Sequence, residues 1–192
     1  MSTSRFPADL EDGLSAYLEL IHAWAGRLDL VSPGDLARFR ARHIDDSLKA
    51  LTLVSGAPPG PAIDVGSGSG VPGIPLALAE PSRHWRLMEP RAQRAAFLEE
   101  AVRTLGLDCE VVRTRAEQAV RDPGLAGAHA LATARALAPP AEAFAAIMPL
   151  VGRGGVGIVW IGAAATVPSG AEVPVPGLAT MAGAIGEMEE NA

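Results

Sequence analysis

Cysteine is almost absent: Cys109 stands alone in 192 residues. One thiol cannot close an internal disulfide, and such a chain suits a reducing compartment. Aromatic residues make up only 4% of the chain, so platforms for stacking an unpaired base are few. Lysine is nearly missing too, with Lys49 alone beside fifteen arginines, a ratio attributable to codon bias as much as to function. A net charge of −6 argues against a nucleic-acid partner held by bulk electrostatics, while leaving room for a local basic patch. No heptad run, tandem repeat or long charged block occurs, which removes coiled-coil and solenoid architectures. The longest apolar run, GVGIVWIGAAATV, is too short and too glycine-rich to span a bilayer. The opening MSTSRFPADLED has no apolar stretch of the secretory kind. A cytoplasmic protein with neither membrane nor metal partner is therefore expected. With 48% hydrophobic residues, the length supports one domain with a real core and not two.

What is present divides in two. Leu10, Leu14, Tyr17, Leu18, Ile21, Trp24, Ala25 and Leu28 recur at three- and four-residue steps, the stripe of an amphipathic helix. Ser32-Pro33-Gly34-Asp35 predicts a second helix start, with Ser32 as cap, Pro33 in the first turn and Asp35 as the reciprocal acid. Leu36, Phe39, His43, Ile44, Ser47, Leu48 and Leu51 mark its buried side, and GAPPGP reads as a linker. From Ala62 onward short apolar runs alternate with helix-length segments. AIDV, HWRLME, CEVVR, AHALATA and GVGIVWI read as strands, and RAQRAAFLEEAVRTLGL reads as a helix closing at Gly106. This alternation predicts an α/β fold with a doubly wound, mostly parallel sheet whose ligand site lies at the carboxyl ends of its strands. In the tail, AEVPVP suggests a ragged strand that Pro174 and Pro176 confine to an edge.

The loop DVGSGSGVPG follows the first of these strands. Gly68 to Gly73 fits the dinucleotide pattern G-x-G-x-x-G, a weak match when taken alone. Asp64 sits two residues before Gly66, where a pyrophosphate would meet an uncompensated like charge. S-adenosylmethionine has no phosphate; it carries an ammonium and a sulfonium, and its single carboxylate suits loop amides at Gly66, Gly68 and Gly70. Glu89 ends the second strand about twenty residues on, where an acid accepts hydrogen bonds from ribose hydroxyls. Arg115-Ala116-Glu117 follows the third strand, placed for the adenine edge. Two other readings stand beside this one: a dinucleotide cofactor, or acids that only cap helices above a glycine turn.

Four stretches carry a resemblance: RHIDDSL at 42–48, DVGSGSGVPGIPLALAEP at 64–81, FLEEAVRTLGL with VVRTRAE downstream, and ATARALAP at 132–139. Together they resemble the bacterial small-subunit (16S) ribosomal RNA guanine-N7 methyltransferases, the glucose-inhibited division protein B family. The likeness runs from about Leu14 to Gly162. It implies a Rossmann-like class I S-adenosylmethionine-dependent methyltransferase with a seven-stranded sheet, residues 1–56 forming an N-terminal helical extension packed on the core. Residues 57–192 would form the methyltransferase domain, with 163–192 poorly defined, in one compact unit overall. It also implies cofactor contacts from Gly66, Val71, Ala116, Glu117 and Arg135, and a guanine of small-subunit RNA, free or in the particle, as methyl acceptor. His43 and Arg135 are the candidate acceptor contacts. His43 and Asp46, three apart, are expected to pair on the pocket wall, the alternative being a structural histidine. For Arg135 the alternative is an ion pair with a neighbouring helix.

Three departures from the family pattern stand out. The lysine usual after the fifth strand is replaced in Trp160-Ile161-Gly162, the usual Asn-Leu-Thr is Asp29-Leu30-Val31, and the basic final strand gives way to GEMEENA. Guanine N7 presents a lone pair and no proton, so its alkylation needs alignment and no general base; no catalytic acid or base is named. The fourth strand lacks the Asn/Asp-Pro-Pro-aromatic motif that holds an exocyclic amine, which disfavours adenine N6. Transfer to a different or small acceptor, and cofactor binding without catalysis, stay open at this level.

Overall fold

A computed structural model describes residues 8–28 and 30–183. Asp29 and the GEMEENA terminus lie outside these residues. Strands β1 (Ala62–Val65), β2 (Trp85–Met88), β3 (Cys109–Val112), β4 (His129–Ala134) and β5 (Val151–Trp160) run parallel, and β6 (Ala171–Val175) and β7 (Leu178–Ala182) complete a seven-stranded sheet. The order is β3-β2-β1-β4-β5-β7-β6, with β7 antiparallel to both its neighbours. All four residues of central β1 are buried, as expected of a strand covered on both faces. Both β1 and β4 end beside the strand-order switch, which opens a crevice at their carboxyl ends.

Among the described residues, eight α-helical segments surround the sheet. α1 (Ala8–Ala25) buries Leu14, Tyr17 and Ile21 completely, and Trp24 meets Phe97 edge-on at 5.8 Å. These side chains share one cluster with Ile74, Leu87 and Phe97, so the helical third is cored on the sheet's own helices. Each fully buried large side chain contributes about 2 kcal/mol. The second helix of the sequence reading is segmented. It runs as α2 (Pro33–Leu36), a π-turn over Arg40–Ile44, α3 (Asp45–Ser47), a 3-10 turn over Leu48–Ala50 and α4 (Leu51–Gly56). Tertiary donors compete with the helical ladder here: Arg135 donates to the Arg42 carbonyl (2.9 Å) and Trp160 Nε1 to the Asp46 carbonyl (3.2 Å). The cap forms, the Asp35 N–H donating to Ser32 Oγ at 3.2 Å. Its reciprocal acid takes the Ser32 hydroxyl (3.1 Å) and pairs with Arg42.

Between α4 and β1 the linker is clamped from outside. Arg83 donates through Nη1 to the carbonyls of Pro58 (3.0 Å) and Gly60 (2.7 Å), and through Nη2 to those of Val54 and Ala57 (both 3.4 Å). α5 (Gly73–Ala79) follows the glycine loop and α6 (Ala92–Leu105) follows β2, the latter ending at Gly106 in the left-handed conformation. α7 (Ala116–Ala119) and α8 (Pro140–Ile147) cover the opposite face.

The tail corrects the sequence reading. AEVPV is the edge strand, its register shifting between Glu172 and Val175 around Pro174. LATMA, unforeseen as a strand, slots between it and β5 and buries Leu178 and Ala179. Small, weakly β-forming residues hide this strand from propensity; burial against β5 makes it.

Candidate functional site

Asp64 and Thr133 lie side by side in the register of β1 and β4. Fully buried, Asp64 accepts from the Thr133 hydroxyl at Oδ1 (2.7 Å) and from the Gly73 N–H at Oδ2 (3.3 Å). The carboxylate thus staples β4 and the start of α5 to β1. Its side chain points into the protein, and it is not among the residues lining the two cavities at the loop described below. Burial raises its pKa from 3.8 to about 6, against the lowering hydrogen bonds of Thr133, Ser67 and Gly73. A raised acid is the protonated form favoured by folding, so its contribution is full below pH 3.8 and is lost as pH rises through about 6. From pH 4 to pH 7 the wild type is therefore expected to lose about 2 kcal/mol of unfolding free energy relative to Asp64→Asn. Denaturant titrations of both proteins across that range measure the difference; a pH-independent gap contradicts it.

Above this staple the loop turns on Gly66, whose N–H, like that of Ser67, donates to the Met88 carbonyl at the end of β2 (both 2.9 Å). Glu89 is 4% exposed and accepts from Gly68 N–H at Oε2 (3.1 Å) and Arg91 N–H at Oε1 (2.9 Å). It ties the loop to the first turn of α6. Each oxygen retains a lone pair for a further donor. Tyr17, buried in α1, donates its hydroxyl to the Ser69 carbonyl at 2.6 Å and so fixes the loop from the helical side.

Two open cavities meet at Gly66. The first, about 290 Å³, is lined by Gly66, Met88, Pro90, Ala116, Glu117 and Leu137 among others. The second, about 310 Å³, includes Phe39, His43, Gly66, Gly68, Val71 and Arg135. Gly66 has φ +76°, and a Cβ there would stand 2.9 Å from Leu137 Cδ1, at the junction itself. The structure thus brings Gly66, Ala116 and Glu117 to one chamber and His43, Gly66, Gly68, Val71 and Arg135 to the other. Glu89 lines neither but lies between Met88 and Pro90, which line the first. Gly70, φ +96°, also lies behind the wall, where a Cβ would meet Ile74 at 2.5 Å and the Tyr17 hydroxyl at 3.0 Å.

His43 does not pair with Asp46. Asp46 binds Lys49 (2.7 Å) and Arg135 (3.5 Å), while the His43 ring packs on Phe39 at 4.9 Å. The geometric reason is the π-turn, which alters the spacing expected of a regular helix. Arg135, mostly buried, both pairs with the helical layer and lines the second cavity. Burial pulls its guanidinium below the usual value, with Asp46 opposing. Trp24 is core, as read; Phe39 is core and cavity wall at once.

Sequence reasoning missed Tyr17 and Thr133, both of which left a signal. A tyrosine on a buried stripe must place its hydroxyl, and a threonine in the middle of a buried strand must find a partner. Leu137 left none. Among the described residues no His, Cys, Asp or Glu group could hold a metal, and no helix is long and apolar enough to cross a membrane.

A family model described as rRNA small subunit methyltransferase G (GidB) matches residues 10–166. The chain belongs to this family. Ribosomal RNA small subunit methyltransferase G of Acidiphilium cryptum is 42% identical over 147 residues, 74% of this chain and 64% of that protein. Its namesake in Granulibacter bethesdensis is 40% identical over 145 residues, 76% and 65% of the respective chains. The matches thus cover less than two thirds of these curated relatives. A solved Corynebacterium glutamicum protein superposes with a TM-score of 0.60 at 14% identity, covering 97% of this chain and 94% of its own. That likeness concerns the fold. Sheet order, antiparallel seventh strand and family agree: this is the Rossmann-like class I S-adenosylmethionine-dependent methyltransferase architecture expected of the rRNA small subunit methyltransferase G family.

Proposed function

We propose that this chain uses S-adenosylmethionine to methylate N7 of a guanine in small-subunit (16S) ribosomal RNA. The observation that carries the reading is the pair of chambers joined at a side-chain-free Gly66 above the carboxyl ends of β1 and β2. Membership of the family, whose relatives are named for small-subunit ribosomal RNA, supports the acceptor. Residues 1–56 act in this reading as an extension of the 57–192 methyltransferase unit, held by the Tyr17–Ser69 bond.

The residues present suit the cofactor. The first chamber mixes apolar Met88, Pro90 and Leu137 with the carboxylate of Glu117, a lining for a flat nucleoside with polar edges. Glu89, its outer lone pairs unspent, would accept from the ribose, and the loop from Gly66 to Val71 would run beside the amino-acid end. Bound there, S-adenosylmethionine supplies a methyl group activated by a positively charged sulfur. The chain's own task is alignment. Gly66 leaves the junction open, Arg135 fixes one wall through Asp46, and no side chain need remove a proton, because N7 has none. Arg135 and Arg94 also place positive charge on the wall of the second chamber in a chain of net charge −6.

The test is transfer of labelled methyl groups to small subunits isolated without the modification. The expected result is stoichiometric labelling by the wild type, slowed about 100-fold by Arg135→Ala, with affinity for the subunit falling steeply as salt rises. Cofactor binding without labelling of RNA would instead favour a different acceptor.

A further inference from the structure

Resting on that reading of the acceptor, we propose that His43 selects guanine over adenine by donating a hydrogen bond from its Nε2–H to the purine O6. The ring lines the second chamber and its Nδ1 is buried with no hydrogen-bond partner. A buried N–H without an acceptor is rarer and costlier than a buried lone pair, so the single proton of the neutral ring belongs on Nε2. Protonation of both nitrogens would add an unsatisfied donor at the sealed position. The charges facing the ring are Arg135, Arg42, Asp35 and Asp46. Burial first, then Arg135, holds the histidine below its ordinary titration range, which keeps it neutral near pH 7.

The donor is also held in place. His43 packs on Phe39 at 4.9 Å, Phe39 meets Tyr17 edge-on at 6.1 Å, and Tyr17 binds the Ser69 carbonyl at 2.6 Å. The Ser47 hydroxyl donates to the His43 carbonyl at 2.6 Å, and Arg135 to the neighbouring Arg42 carbonyl at 2.9 Å. A continuous column therefore registers the imidazole against the glycine loop. The backbone carrying it is a π-turn, a departure from helix that is frequent at functional sites.

The purine edge supplies the selectivity. Guanine offers two acceptors there, N7 and O6; adenine offers N7 and an amino donor. One N–H at O6 leaves the N7 lone pair free, whereas with adenine donor meets donor. A neutral ring, unlike an imidazolium, does not oppose the positive charge that N7 gains as it is alkylated.

The experiment uses small subunits reconstituted with guanine or 2-aminopurine at the acceptor position; the latter keeps N7 and lacks O6. Wild type is expected to prefer guanine by about 10- to 100-fold in kcat/KM. His43→Leu should lose most of the guanine rate and all of the preference, with S-adenosylmethionine bound about as tightly as by the wild type. His43→Gln, which keeps an N–H donor, should recover part of both. A structural role would instead slow both acceptors equally and leave the preference intact, and that outcome overturns the assignment. If His43→Leu fails to fold, loss of preference in a folded His43→Gln overturns it. Absence of transfer by the wild type to guanine-containing subunits, with the cofactor bound, overturns the acceptor reading itself and this assignment with it.

Discussion

Replacing Glu89 with alanine is expected to weaken S-adenosylmethionine binding by about 100-fold. Two effects combine in that figure. The glycine loop loses its tie to α6, because Gly68 and Arg91 N–H groups both donate to this carboxylate. The ribose would lose a charged acceptor, and a hydrogen bond to a charged group is worth about 1.5–3 kcal/mol. Glu89→Gln separates the two. One amide oxygen can still accept one bond, but the amide nitrogen then faces a backbone donor, so an intermediate loss of about tenfold is expected. Calorimetric titration of the cofactor measures both. Wild-type affinity in folded Glu89→Ala would remove this residue from the site and leave it a loop staple alone.

The largest expected loss of stability comes from a single methyl group at Gly73. Its backbone is ordinary helix, and alanine would favour the helix by up to about 1 kcal/mol. Space decides against it. A Cβ there would lie 2.5 Å from Leu87 Cδ2, 2.8 Å from Asp64 Oδ2 and 3.0 Å from Asp64 Cβ. Leu87 can turn its end; Asp64 cannot, being pinned by Thr133 on one oxygen and by Gly73 itself on the other. Overpacking of this kind costs about 1–3 kcal/mol and here breaks a buried bond as well, so Gly73→Ala should unfold about 5–10 °C lower. Scanning calorimetry at pH 7 reads the shift. An unchanged Tm would mean that α5 can lift from β1 at no cost, contrary to the packing described.

The elements most legible in the sequence were those whose burial alone explains them. β1, β2 and β4 are largely buried runs bounded by turn residues, and the stripe of α1 is regular enough that Leu14, Tyr17 and Ile21 could be named as core. That Gly66, Ala116 and Glu117 gather at one chamber was legible because strand, loop and acid recur in a fixed order. Segmentation of residues 33–56 was not, since the donors that interrupt the helix, Arg135 just past β4 and Trp160 at the end of β5, lie far along the chain. The same long range hid β7, whose alanines become strand only against β5. The orientation of Asp64 was hidden for a related reason: its position in sequence says which strand end it occupies, whereas its inward orientation follows from Thr133, 69 residues away.

The Arg83 clamp bears on how the proposed RNA acceptor would reach so confined a place. Four carbonyls on one guanidinium brace the covalent link from helical layer to sheet. Jaw-like opening about that junction is thereby opposed, and under the proposed function an acceptor nucleotide would have to be everted into the cleft between the layers. On that proposal the energy for unstacking it would come from the surface it leaves and the walls it enters, not from a swinging domain.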